Sequence, residues 1–336
     1  MKIEALIEKY NKRKYIFILG SGRNGTTFLS KELAKTKFIT TTPEDKYFFW
    51  SMAHRKKYNL DLKKDFISFF NLSFMFIFDF RKQDFFKSKE EILYMKKNYI
   101  EMIEKNFNFI QAKNINEKYK LILDMILDVF TKDSDKECFV LHTPATLLVF
   151  DTAKEILTPY KVIFMQRDIH SFYVSAMKGN NRWFKSELDC IAYWNIVSDN
   201  IKKYYFEYEK SSIILKQENM INNPNDVKIQ LENFLKIDLS GINLEYRGEN
   251  TYFDSFFDRK KLLTEYETVL IEFFSYCNIK YFDYEFLLQD YVKPNIFTIL
   301  NYKIRKKKLL INYFLRRKGC LYYLYFMNPE KIAYLK

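Results

Sequence analysis

The chain has 336 residues, 48% hydrophobic and 29% charged, with 55 Lys and Arg against 42 Asp and Glu, a net charge of +13. That is enough to bury a sizeable core, within range of one large α/β domain with a helical insertion. Cys138, Cys190, Cys277 and Cys320 lie far apart without C-x-x-C spacing, and His54, His142 and His170 add no ligand pattern, which argues for idle thiols in a reducing compartment and against a metal centre.

The first residues, Met1 to Lys14, read as a charged helical lead-in with no apolar core of a secretory signal, so a cytoplasmic protein is expected. Tyr15 to Leu19 is a short run of aromatic and β-branched residues suited to a buried parallel strand. Gly20-Ser21-Gly22-Arg23-Asn24-Gly25-Thr26-Thr27 follows at once, and Thr26 to Leu33 has helical spacing. Glycines let the chain turn sharply, and amides at the turn plus the positive end of a helix attract an anion, a phosphate or a sulfate. The nucleotide triphosphatase pattern G-x-x-x-x-G-K-[ST] fails at one position. Gly20 and Gly25 have its spacing, but Thr26 stands where its lysine belongs, and the cation sits inside the loop as Arg23. The plain alternative is a glycine turn without a ligand.

Thr42 to Trp50 carries two acids, Glu44 and Asp45, which after Pro43 also read as capping acids at a helix start. Residues 51–136 lack glycine and form a helical insertion. Within it the longest apolar run, Phe66 to Phe80, is too short to cross a bilayer. Ser88 to Glu91 fits a capping box, and Lys118 to Phe130 offers a second helix. Cys138 to Leu141 reads as a strand ending in His142-Thr143-Pro144. A further strand from Lys161 ends at Arg167, with Ser175 expected one turn inside the next helix. Such a pair can grip a phosphate from two sides. Tyr193 and Trp194 are expected to open a helix to about Glu209, Ile213 to Leu215 a strand, and Pro224 a helix ending near Leu235. Leu262 to Phe274 reads as another helix. From Lys293 onward there are 11 Lys and Arg against one acid, Glu330, so this tail holds +10 of the +13. Its basic and apolar residues, 303–326, suit an anionic membrane surface, an acidic polysaccharide, a dimer contact or a solvated helix. Nucleic acid is not expected, since no recognition fold accompanies the charge.

The loop from Gly22 to Thr27 and the strand-Arg167-x7-Ser175 pattern together resemble the sulfotransferases that use PAPS (3′-phosphoadenosine 5′-phosphosulfate), in pattern closest to the carbohydrate and tyrosylprotein branch. The resemblance spans about residues 14–250. It implies a P-loop-like three-layer α/β fold with a central parallel sheet, residues 1–290, the insertion 51–136 and a basic helical tail, 291–336. It implies that Gly22, Arg23, Asn24, Gly25, Thr26 and Thr27 hold the 5′-phosphosulfate, and that Arg167 and Ser175 hold the 3′-phosphate. Arg247-Gly248 loosely resembles a further 3′-phosphate contact. Glu44 or Asp45 would be the general base for an acceptor hydroxyl. The family often has Lys-[Ser/Thr]-Pro where this chain has His142-Thr143-Pro144, so His142 would stabilise the bridging oxygen or act as base. PAPS is then the donor, PAP (adenosine 3′,5′-bisphosphate) the product, and no metal is called for. A glycan or lipid-linked glycan is the expected acceptor. A P-loop kinase or NTPase and a non-catalytic PAP-binding module at a membrane surface are the competing readings.

Overall fold

The computed structural model describes residues 3–41, 58–77, 87–132, 135–179, 182–245 and 261–317. Lys14–Gly20 forms β1, and its last six residues are buried, as an apolar run covered on both faces must be. Successive side chains point to opposite faces. Tyr15, Phe17 and Leu19 join one core cluster with the helical insertion, and Ile16 and Ile18 join another with Leu29, Leu33, Leu231 and Leu235. The sheet therefore has helices on both sides, the three-layer α/β architecture expected.

The remaining strands are β2 (Ile39–Thr41), β3 (Cys138–Leu141), β4 (Pro159–Gln166) and β5 (Ser212–Lys216). All pairs are parallel, in the order β2-β3-β1-β4-β5. The chain leaves β1 for one edge, returns to fill the gap with β3, and crosses to the other side with β4. This reversal opens a crevice beyond the carboxyl end of β1, the usual ligand position in open α/β sheets. The glycine turn begins there.

The insertion is helical where described: Lys63–Ile77, Lys89–Lys105, Phe107–Gln111 and Ile115–Phe130. Ser88 and Glu91 make the expected reciprocal cap, and a second box between Asn114 and Glu117 starts the last helix three residues before Lys118. That helix is pinned to β1 by Arg13, whose guanidinium pairs with Asp124 at 2.9 Å and also with Asp128, all three buried. Tyr10 and Tyr99 donate to the same Asp128 carboxylate at 3.1 and 2.9 Å.

In the second half the helices are Ile169–Met177, Glu187–Glu207, Gln217–Asn222, Pro224–Leu235, Glu265–Tyr281 and Ile296–Arg317. Two expectations need correction. Tyr193 and Trp194 lie well inside their helix, whose start is set by acids at Glu187 and Asp189 that suit a positive helix end. The helix expected at Leu262 begins instead at Glu265, because Thr264 and Glu267 form a capping box, and it runs on to Tyr281. No helix among the described residues is long and apolar enough to cross a membrane.

Candidate active site

The turn after β1 is built on left-handed backbone. Gly22, Arg23 and Gly25 have φ of 77°, 54° and 84°. Only glycine takes such angles without strain, so Arg23 is held there by its surroundings. Gly20 is required for a different reason. A Cβ on it would run into the Asn24 amide and the Met165 carbonyl, the two groups that join across the sheet when Asn24 Nδ2 donates to Met165 O at 2.6 Å. Thr26–Leu33 then starts with no side-chain cap, which leaves its positive end facing the turn.

Arg23 and Arg167 meet. The Arg167 side chain is buried beneath the turn and its Nη1 donates to the Arg23 carbonyl at 2.5 Å. The Arg23 guanidinium instead lies over the Trp183 ring, 5.0 Å from the centroid. Its Nε is buried and, among the described residues, has no hydrogen-bond acceptor. A buried donor of this kind is costly unless something accepts from it, and an anion does so with charge assistance.

Helix Glu187–Glu207 ties both elements together through consecutive residues. Tyr193 donates its hydroxyl proton to Ser21 O at 3.0 Å, and Trp194 Nε1 donates to Arg167 O at 3.0 Å. A polar network supports Arg167 from behind. Asp168 caps helix Ile169–Met177, Glu218 accepts from the Asp168 amide at 3.0 Å, and buried His170 lies between Asp168 and Glu272 at 3.0 and 3.2 Å. Burial opposes a charge on His170, but its hydrogen bonds to the two carboxylates outweigh that and lift its pKa above the ordinary histidine value. Burial and the neighbouring Asp168 charge push the Glu218 carboxyl up as well.

The other expected residues are distributed as follows. His142, at the end of β3, is buried with Nδ1 3.1 Å from the Ser30 hydroxyl, which also bonds the Thr41 hydroxyl. It therefore contacts the helix that follows the turn. Ser175 is not one turn into its helix but third from its end, half-buried. The next residue, Ala176, accepts from the Trp183 amide at 2.8 Å, so this helix end is linked through Trp183 to Arg23. Glu44, Asp45, Arg247 and Gly248 lie outside the described residues. Trp183, Tyr193 and Trp194 escaped sequence reasoning. The only signal was a tryptophan eight residues beyond Ser175 and an aromatic pair on a later helix, neither of which carries a spacing rule.

Residues 15–241 match the model of the sulfotransferase family. The chain belongs to the sulfotransferase family. No curated protein matches it by sequence. Among solved structures, the sulfotransferase domain of the Synechococcus PCC 7002 olefin synthase aligns over 81% of this chain and 96% of its own, with 13% identity and a TM-score of 0.53. The sulfotransferase domain from the curacin biosynthetic pathway has 14% identity and a TM-score of 0.47, over 81% of this chain and 98% of that one. The sulfotransferase STF9 from Mycobacterium avium has 12% identity and a TM-score of 0.44, over 84% and 82%. The likeness to the olefin synthase domain concerns the fold, which that domain shares over nearly its whole length.

Proposed function

We propose that this sulfotransferase takes PAPS as donor and moves its sulfonate to a hydroxyl of a glycan or lipid-linked glycan. The observation that carries the reading is the 2.5 Å contact of Arg167 with the Arg23 carbonyl, which sets the two expected anion-binding elements side by side. One nucleotide with phosphates on both its 3′ and 5′ sides can then reach both. The unsatisfied Arg23 Nε suits such an anion.

In this reading Gly22 to Thr27 and Arg23 hold the 5′-phosphosulfate, while Arg167, Ser175, Arg247 and Gly248 hold the 3′-phosphate. The acceptor oxygen attacks sulfur in line with the bridging oxygen. A new S–O bond forms, the old S–O bond breaks, and PAP leaves with the electron pair. Arg23, the turn amides and Thr26 offset the charge that grows on the leaving phosphate, and preorganised donors of this kind supply the largest single contribution in many enzymes. The acceptor proton goes to Glu44, Asp45 or His142. No metal ion has a role in these steps. The donor and acceptor are bound by the α/β unit, residues 1–290, with the insertion 51–136 as one wall of the acceptor site. The protein is held to work in the cytoplasm, peripheral to the inner face of a membrane, with 303–326 in the basic extension 291–336 as the contact.

Labelled PAPS incubated with the protein and a panel of glycans tests this. Label transfer that persists in EDTA and disappears in Arg23→Ala is expected. Transfer that requires magnesium and a nucleoside triphosphate instead would return the protein to the kinase or NTPase reading. Tight PAP binding with no transfer to any hydroxyl would make it a non-catalytic nucleotide-binding module.

A further inference from the structure

Helix Ile296–Arg317 has two unlike faces. One is docked on the body of the protein: Tyr302 stacks on Phe274 with centroids 3.9 Å apart, and the Tyr302 hydroxyl bonds Asn195 at 3.1 Å. Leu309 packs on the same cluster, Arg305 pairs with Asp189 at 2.9 Å, and Lys306 pairs with Asp199 at 3.5 Å. These contacts fix which side looks outward. On that side Phe297, Leu300, Ile304 and Ile311 recur at helical spacing and are exposed, Phe297 by 80% and Ile304 by 67%. A folded protein rarely leaves such a stripe bare unless something covers it. Lys303, Lys307 and Lys308 border the stripe and are exposed too.

We infer that this outer face of helix Ile296–Arg317 is a docking surface for a bilayer rich in acidic phospholipid. The helix would lie flat in the headgroup region, with Phe297, Leu300, Ile304 and Ile311 inserted and the bordering lysines against lipid phosphates. Charge complementarity selects the occupant. Residues 296–317 contain no acid, and Lys303, Lys307 and Lys308 border the stripe, an arrangement that a second copy of the same face would repel and an anionic surface attracts. The stripe begins at Phe297, upstream of the basic run that starts at Lys303, so the apolar contact does not depend on the lysines. Because Tyr302 and Arg305 fasten the opposite side, the whole folded body would be held at the surface in one orientation. The inference rests on the peripheral placement proposed above and not on the identity of the donor.

Co-sedimentation of the full-length protein with vesicles tests it, using phosphatidylcholine alone and phosphatidylcholine with one quarter phosphatidylglycerol. The protein should bind the anionic vesicles and not the neutral ones, and high salt should release it. Replacing Lys303, Lys307 and Lys308 together by Gln should lower partitioning about 100-fold, at about fivefold per lysine. The double variant Phe297→Ser, Ile304→Ser should lower it at least about tenfold through lost apolar burial. Melting temperature and PAP binding should be unchanged in both, since these side chains face solvent. Failure of the wild type to bind anionic vesicles would overturn the inference, as would equal binding by both variants. So would a lipid-free dimer seen by light scattering that the Phe297→Ser, Ile304→Ser variant dissolves, for then a second copy covers the stripe. Loss of PAP binding alone would leave the docking face standing and remove the donor assignment.

Discussion

β1 is flanked by two arginines, Arg13 just before its start and Arg23 in the turn beyond its end, and the protein treats them in opposite ways. Arg13 lies between two buried carboxylates and against the rings of Tyr10 and Phe139, each 4.3 Å away. Its charge is answered wholly within the fold. Arg23 sits in left-handed backbone, has an aromatic ring beneath it and, among the described residues, forms no ion pair. One arginine is neutralised inside the fold, while the other, among the described residues, has no carboxylate partner, and the proposed function assigns the second to the donor anion.

Variants that exchange those roles would break the comparison. The largest effect is expected from Arg13→Met, which leaves Asp124 with Lys120 and Asp128 with Lys9 as cation partners; removing one partner of a buried pair costs about 3–5 kcal/mol. Urea denaturation reads this directly, and an unchanged midpoint would show that Arg13 is not a structural cation. Arg23→Ala should do the reverse, lowering kcat about 10²- to 10³-fold with the denaturation midpoint held. A variant keeping most of its turnover would remove the turn from the chemistry.

Two smaller effects sharpen the picture. Trp183→Ala should weaken PAP binding a few-fold, because a cation–π contact at a partly exposed site is worth about 0.5–1 kcal/mol. Trp183→Phe should restore most of it, which a merely structural loss would not predict. His170 should make stability depend on pH. Its folded pKa is raised, so its contribution is complete below the unfolded value of about 6.5 and is lost as pH climbs through the higher folded value. The melting temperature should therefore fall as pH rises above about 6.5, and His170→Asn should flatten that slope.

What the sequence made legible follows the same division. Tyr15 to Leu19, Cys138 to Leu141 and the helix from Thr26 to Leu33 were readable because a strand covered on both faces must be apolar and a glycine turn has a fixed spacing. The strand order was not, because it depends on which edge the insertion returns to. β2, with three residues, carries too little pattern to register. The turn that forms the candidate site was legible because its shape is local backbone, with positive φ at Gly22, Arg23 and Gly25. It was obscure where partners come from distant segments. Trp183 beneath Arg23 and the paired grips of Tyr193 and Trp194 exist only after three elements converge. The placement of Ser175 near the end of its helix also depended on a stop that sequence spacing did not mark.

The central claim, that one adenosine-based donor spans Arg23 and Arg167, is tested most directly by calorimetric titration with PAP and with 5′-AMP, which lacks the 3′-phosphate. The wild type should prefer PAP, Arg167→Ala should remove this preference while 5′-AMP still binds, and Arg23→Ala should weaken both ligands. An Arg167→Ala protein that keeps the full preference for PAP would contradict it.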